Sequence, residues 1–161
     1  MNSTGKRHLK ARKNDLENRK RDPAVVSRTM ARVKAKDSKI EIKMRKALWA
    51  EGLRYRKHYR KAFGVPDIAF TKQKVAVFCD SSFWHGLDWE NQKKRIVHNR
   101  DFWINKIRKN MERDKLVNRT LKESGWLVIR CSDVEIEMNI AKCVAKIKNA
   151  LKRRDGSSTL G

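Results

Sequence analysis

No uninterrupted apolar run in the chain exceeds Val75–Cys79, a strand's length and far short of the roughly 20 residues that span a bilayer. A membrane role is therefore not expected. Cysteine is scarce: Cys79, Cys131 and Cys143 make neither an even set nor a C-x-x-C pair, which argues against a disulfide framework and a cysteine-rich zinc knot. Residues 1–8 lack the apolar stretch of a secretory signal, so a reduced, cytoplasmic protein, associated with the nucleoid through DNA, is expected. Acidic residues are the most telling shortage. Eighteen Asp and Glu face 41 Lys and Arg, a formal charge of +23, more than solubility requires, and a polyanionic partner is the natural inference.

With 161 residues, 39% of them hydrophobic, the chain suffices for one core and not for two ordinary domains. Residues 1–27 carry Lys6, Arg7, Lys10, Arg12, Lys13, Arg19, Lys20 and Arg21 with no steady apolar period and read as a flexible basic arm. A folded domain is expected over 28–153, followed by a disordered tail over 154–161. Ser38-x-x-Glu41 fits a capping box, Ile40, Met44, Ala47 and Leu48 recur at helical spacing, and Gly52 supplies a stop; a helix over about 38–51 follows. Extended segments are expected over Leu53–Tyr59, Pro66–Phe70 and Lys74–Cys79, the last two joined as an antiparallel hairpin. A polar, tryptophan-bearing loop from Asp80 to about Arg100 leads to a helix over about 101–123, a strand over Trp126–Arg130 and an amphipathic helix over 135–152. The order predicts an α/β fold, helices packed on a mixed central sheet.

Metal-assisted hydrolysis of a phosphodiester needs clustered oxygen ligands and a group that handles protons. Asp67, opening the second extended segment, and Asp80, ending the third, fall at one end of a single hairpin, where the carbonyl of Cys79 can join them. As isolated residues they read equally well as a turn residue and a loop cap. Phe83, Trp84 and His85 follow Asp80 in polar surroundings, which on a basic protein suggests base stacking, with core filling and a structural histidine as the plain alternatives. On the long helix, Asn110 and Asp114 fall among Trp103, Ile107, Met111, Val117 and Leu121. Polar groups on such a face need partners; with Arg113 they are expected to form an internal network that supports the loop. Glu41 is explained by capping, yet it can lean toward the sheet edge near Asp67.

Met30, Asp37, Glu41, Pro66-Asp67, Val77–Asp80, Phe83–Gly86, Phe102-Trp103, Asn110-x-x-Arg113-Asp114 and Gly125-Trp126 resemble, in order and spacing, the very-short-patch-repair (Vsr) endonucleases over about residues 27–132. The resemblance implies a restriction-endonuclease-like, three-layer α/β/α fold, magnesium as cofactor, and a nick made 5′ to the thymine of a T:G mismatch in duplex DNA, with later steps left to other repair proteins. It implies that Asp67 and the backbone carbonyl of Cys79 hold the metal, that His85 performs acid–base work on the attacking water, and that Asp80 and Glu41 assist. Phe83, Trp84 and Trp103 match aromatics that wedge into the duplex beside the mismatch, and Met30 matches a contact in the other groove. Ser82 stands where the common acid-x-lysine nuclease pattern places lysine, a gap that His85 accounts for.

One departure concerns zinc. Family members hold a structural zinc ion at positions that here read Ser82, Leu87, Trp89 and Val134, none a usable ligand. Zinc is therefore expected to be absent, with Leu87 and Trp89 packing to steady the loop. Two competing readings are a sequence-specific restriction-type endonuclease of the same fold and a non-catalytic basic DNA-binding protein. The charge suits both, but the second leaves Asp67 and His85 unexplained.

Overall fold

The computed structural model describes residues 37–157. The basic arm, Met30 and positions 158–161 lie outside the described residues. Helix α1, Lys39–Ala50, starts at Ser38, whose side chain accepts from the Glu41 amide, while Glu41 answers by accepting from the Ser38 hydroxyl at 2.9 Å and the Asp37 amide at 3.0 Å. These bonds satisfy donors that a helix start leaves open. Met44 and Leu48 are buried one turn apart.

Strand β1 is only Arg56–Lys57, shorter than the expected Leu53–Tyr59. Leu53 is still closing the helix, with its amide on the Leu48 carbonyl, and His58 takes a left-handed φ of 45° that ends the extended run. β2, Ile68–Phe70, and β3, Val75–Asp80, form the expected antiparallel hairpin. β4, Leu127–Ser132, runs parallel to β3 with Cys79 opposite Cys131. The mixed sheet has the order β1-β2-β3-β4.

The stretch between β3 and the long helix is not the expected loop. It contains two short helices, α2, Ser82–His85, and α3, Trp89–Arg95, too short to display a helical apolar period. Leu87 and Val134 are 57% and 51% exposed, so packing by Leu87 does not steady this segment. It is tied down by polar bonds: the Ser82 amide and hydroxyl both donate to Asp133, and the Gln92 amide nitrogen donates to the Phe83 carbonyl at 2.6 Å. Gly86 adds a close approach, since a Cβ there would lie 2.6 Å from Met111 Sδ.

Helix α4, Arg100–Glu123, returns the chain to β4. The expected final helix is two helices, α5, Asp133–Met138, and α6, Ile140–Ser157. Ser132 and Glu135 close a capping box on α5, and the Asn139 side chain accepts from the Lys142 amide at 3.0 Å, offering the chain a fresh helix start. α6 continues to Ser157, past the expected boundary at 153.

All six residues of β3 are buried because helices cover both faces of the sheet. Val75, Val77 and Cys79 face a core shared with α1, α5 and α6; Ala76 and Phe78 face Val117 and Leu121 of α4. Asp80 continues the second set, so the strand alternation alone directs its carboxylate to the α4 side. Gly64 lies against that helix with φ 76°, and a Cβ there would sit 2.5 Å from Val117 Cγ1. Gly64→Ala is expected to cost about 2–4 kcal/mol through backbone strain and overpacking; an unchanged urea midpoint would contradict this contact.

Candidate active site

The end of the β2–β3 hairpin carries the acids. Asp67 precedes β2, and its Oδ2 accepts from the Cys79 amide at 2.8 Å. Burial, partly offset by that bond, raises its pKa to about 6, and the charges of Glu41 and Asp80 push the same way. The structure thus brings Glu41 and Asp80 within electrostatic reach of Asp67. Glu41 and Asp80 are 6% and 4% exposed, burial that carboxylates tolerate only with partners. Cys79 sets its backbone beside Asp67 while its side chain joins the core on the opposite face. Burial pushes that thiol far above its ordinary pKa, so it stays protonated.

His85 sits at the end of α2, half-buried. Its Nδ1 lies 2.6 Å from Asp114 Oδ2 on α4, and its Nε2 lies 3.7 Å from Asp80 Oδ1. A carboxylate can only accept, so Nδ1 carries the proton and the neutral ring keeps its lone pair on Nε2. Burial works against the charged ring, but the Asp114 bond with the charges of Asp80 and Asp114 prevails, and the pKa is raised. Of the expected supporting network, Asp114 touches His85 directly and Asn110 donates to the Trp84 carbonyl at 3.2 Å. Arg113 is exposed and acts on Asp114 only as a nearby charge.

The aromatic residues form a cluster beside the histidine. Ring centroids lie 5.0 Å apart for Phe83–Trp84 and 5.6 Å for Trp84–Trp103, and Phe102 extends the group at 5.0 Å from Trp103. Phe83 and Phe102 are exposed. Lys106 places its ammonium 5.1 Å from the Trp84 ring centre.

Sequence reasoning missed three residues here. Arg130 donates from Nη1 to both oxygens of Asp80, at 3.0 and 2.8 Å; its signal was an arginine inside an apolar strand. His58 lies 3.3 Å from Asp37 and 3.8 Å from Glu41, and Asp37, Glu41 and His58 are the group of metal-type side chains found close together among the described residues. Nothing in the sequence singles out His58. Asp133, which anchors Ser82, falls just before the expected start of the final helix at 135 and was not singled out.

Carboxylates gathered at one end of a mixed sheet, next to a histidine braced by another carboxylate, are consistent with an α/β nuclease fold. The family described as DNA mismatch endonuclease Vsr matches residues 18–91. The chain is 46% identical over 125 residues to the type II nicking enzyme V.NmeDIP of Neisseria meningitidis serogroup C, covering 78% of this chain and 84% of that one. Over 121 residues it is 46% identical to the type II nicking enzyme V.HpaIIP of Haemophilus parainfluenzae, covering 75% and 86%. It is also 31% identical over 108 residues to the DNA mismatch endonuclease Vsr of Escherichia coli strain K12, covering 67% and 69%. The chain belongs to the Vsr family and is a DNA endonuclease.

Proposed function

We propose that the protein is a magnesium-dependent endonuclease of restriction-endonuclease-like fold that nicks duplex DNA 5′ to the thymine of a T:G mismatch and so starts very short patch repair. The observation that carries this reading is Asp67: a half-buried carboxylate held up to about 6 with the charges of Glu41 and Asp80 around it. Hard oxygens carrying surplus negative charge suit a small dication. Asp67 and the Cys79 carbonyl would hold magnesium. Once bound, it would supply Lewis acidity at the scissile phosphate.

His85, held through Nδ1, presents Nε2 as the base that takes a proton from the attacking water. Glu41 helps to orient water, and Asp80 sets the field beside Nε2. Phe83, Trp84 and Trp103 wedge into the duplex, where a mismatched step is cheapest to unstack, while Met30 contacts the other groove. The polar ties from Asp133 and Gln92 support a loop that needs no structural zinc.

The test uses end-labelled duplexes that differ by a single T:G pair in varied flanking sequence, with magnesium or EDTA. Magnesium-dependent cleavage of the thymine strand alone is expected. Equal cutting of both strands of matched DNA would replace this reading with the restriction type, and binding without cleavage would remove the enzymatic assignment.

A further inference from the structure

Within β4, Val128, Ile129 and Cys131 belong to the two apolar layers, whereas Arg130, opposite Phe78 in the parallel register, carries a guanidinium across the Phe78 ring at 4.5 Å. A cation in such a place costs several kcal/mol unless its charge and N–H groups are matched. Every nitrogen of Arg130 is matched. Nε donates to Asn118 Oδ1 at 2.9 Å, Nη1 donates to both Asp80 oxygens, and Nη2 lies 3.3 Å from Asp114 Oδ1.

The two carboxylates joined by this planar group are the two that flank His85. Their tasks differ: Asp114 orients the ring through Nδ1, while Asp80 stands 3.7 Å from Nε2, the nitrogen needed for the reaction. Left without Arg130, Asp80 is an acceptor for a protonated Nε2, and a ring bonded on both sides has no nitrogen left for water. A guanidinium donating to both Asp80 oxygens weakens that competitor and holds it back from Nε2. A lysine ammonium lacks the rigid fork that reaches two carboxylates at once.

We propose that Arg130 is a positioning residue that clamps Asp80 and Asp114 at fixed spacing, so that His85 is oriented by one and left free by the other. It touches no reacting atom and acts through His85; the inference rests on the nicking reaction proposed above.

The experiment compares the full chain with Arg130→Met, Arg130→Lys, Asp80→Asn and Asp80→Asn/Arg130→Met, measuring single-turnover nicking, duplex binding in EDTA, and titration of the His85 ring by NMR without DNA. Arg130→Met is expected to lower the nicking rate about 10- to 100-fold, as loss of an outer-shell partner does, with binding unchanged within about twofold, since no phosphate contact is lost. Arg130→Lys keeps the charge and recovers only part of the rate. The double variant loses less than the product of the two single losses. The ring, facing Asp80 of β3 and Asp114 of α4 without the opposing cation of β4, titrates at higher pH in Arg130→Met.

An unchanged nicking rate, a loss confined to binding, full recovery by lysine, or an unshifted His85 titration would each overturn the proposal. If Arg130→Met unfolds, Arg130→Gln and Arg130→Lys carry the same comparison. Failure of the wild-type protein to nick any T:G duplex would instead remove the reaction, and the His85 titration would still decide the role of Arg130.

Discussion

Asp67→Asn is expected to abolish strand nicking and, at the same time, to make the magnesium-free protein more stable at pH 8. The carboxyl titrates at about 6 in the folded protein, against an ordinary value of 3.8, because it is buried and faces Glu41 and Asp80. The folded state therefore binds the proton more tightly than the unfolded chain. Stability is lost as pH rises from about 4 to about 6, and the full penalty persists above that, amounting to at most about 3 kcal/mol. Asparagine removes the charge yet can still accept the Cys79 amide bond.

In EDTA the variant should gain about 1–3 kcal/mol at pH 8 and nothing near pH 4, where wild-type Asp67 is already protonated. Magnesium should stabilise the wild type and leave the variant unmoved, because a ligand stabilises only the state it binds. Nicking should fall by about 10³-fold or more, several kcal/mol of lost transition-state stabilisation. Urea denaturation with and without magnesium checks this; a variant less stable than wild type at pH 8, or equal magnesium stabilisation of both, would contradict the site.

The second large effect belongs to His85. His85→Ala should reduce nicking about 10²- to 10⁴-fold, the contribution of a positioned proton acceptor. A base works only when unprotonated, and the Asp114 bond and neighbouring carboxylates outweigh burial to raise this ring above 6.5. The rate should therefore climb with pH through a value above 6.5. Asp114→Asn removes the charge and leaves only a weaker amide oxygen to hold the ring's tautomer, so the climb should move to lower pH while the plateau drops. A pH–rate profile that does not move in Asp114→Asn would separate His85 from the proton transfer.

Much of this was legible in the sequence where the signal is local. Ser38 and Glu41 announced α1, the uninterrupted apolar run Val75–Cys79 announced a strand, and Asn110 and Asp114 stood out because polar groups had no place on that face of α4. Where pairing is non-local the sequence was silent or misleading. Asn139 divides the final helix through its own side chain, a local competition that an apolar period cannot register. Leu87 looked like a packing residue and is exposed, because the ties that hold its segment come from Asp133, far along the chain. His58 reaches Glu41 only through the fold of the β1 turn.

The pairing of Arg130 with Asp80 spans fifty positions and depends on the last strand entering parallel beside β3. Such closure is entropically late, since the long α4 connection must be in place before any contact of β4 rewards it. A chain still emerging from synthesis already carries Asp80 and Asp114 but lacks the arginine that joins them. On the role proposed for Arg130, the full cutting rate then arrives only when the last strand has docked.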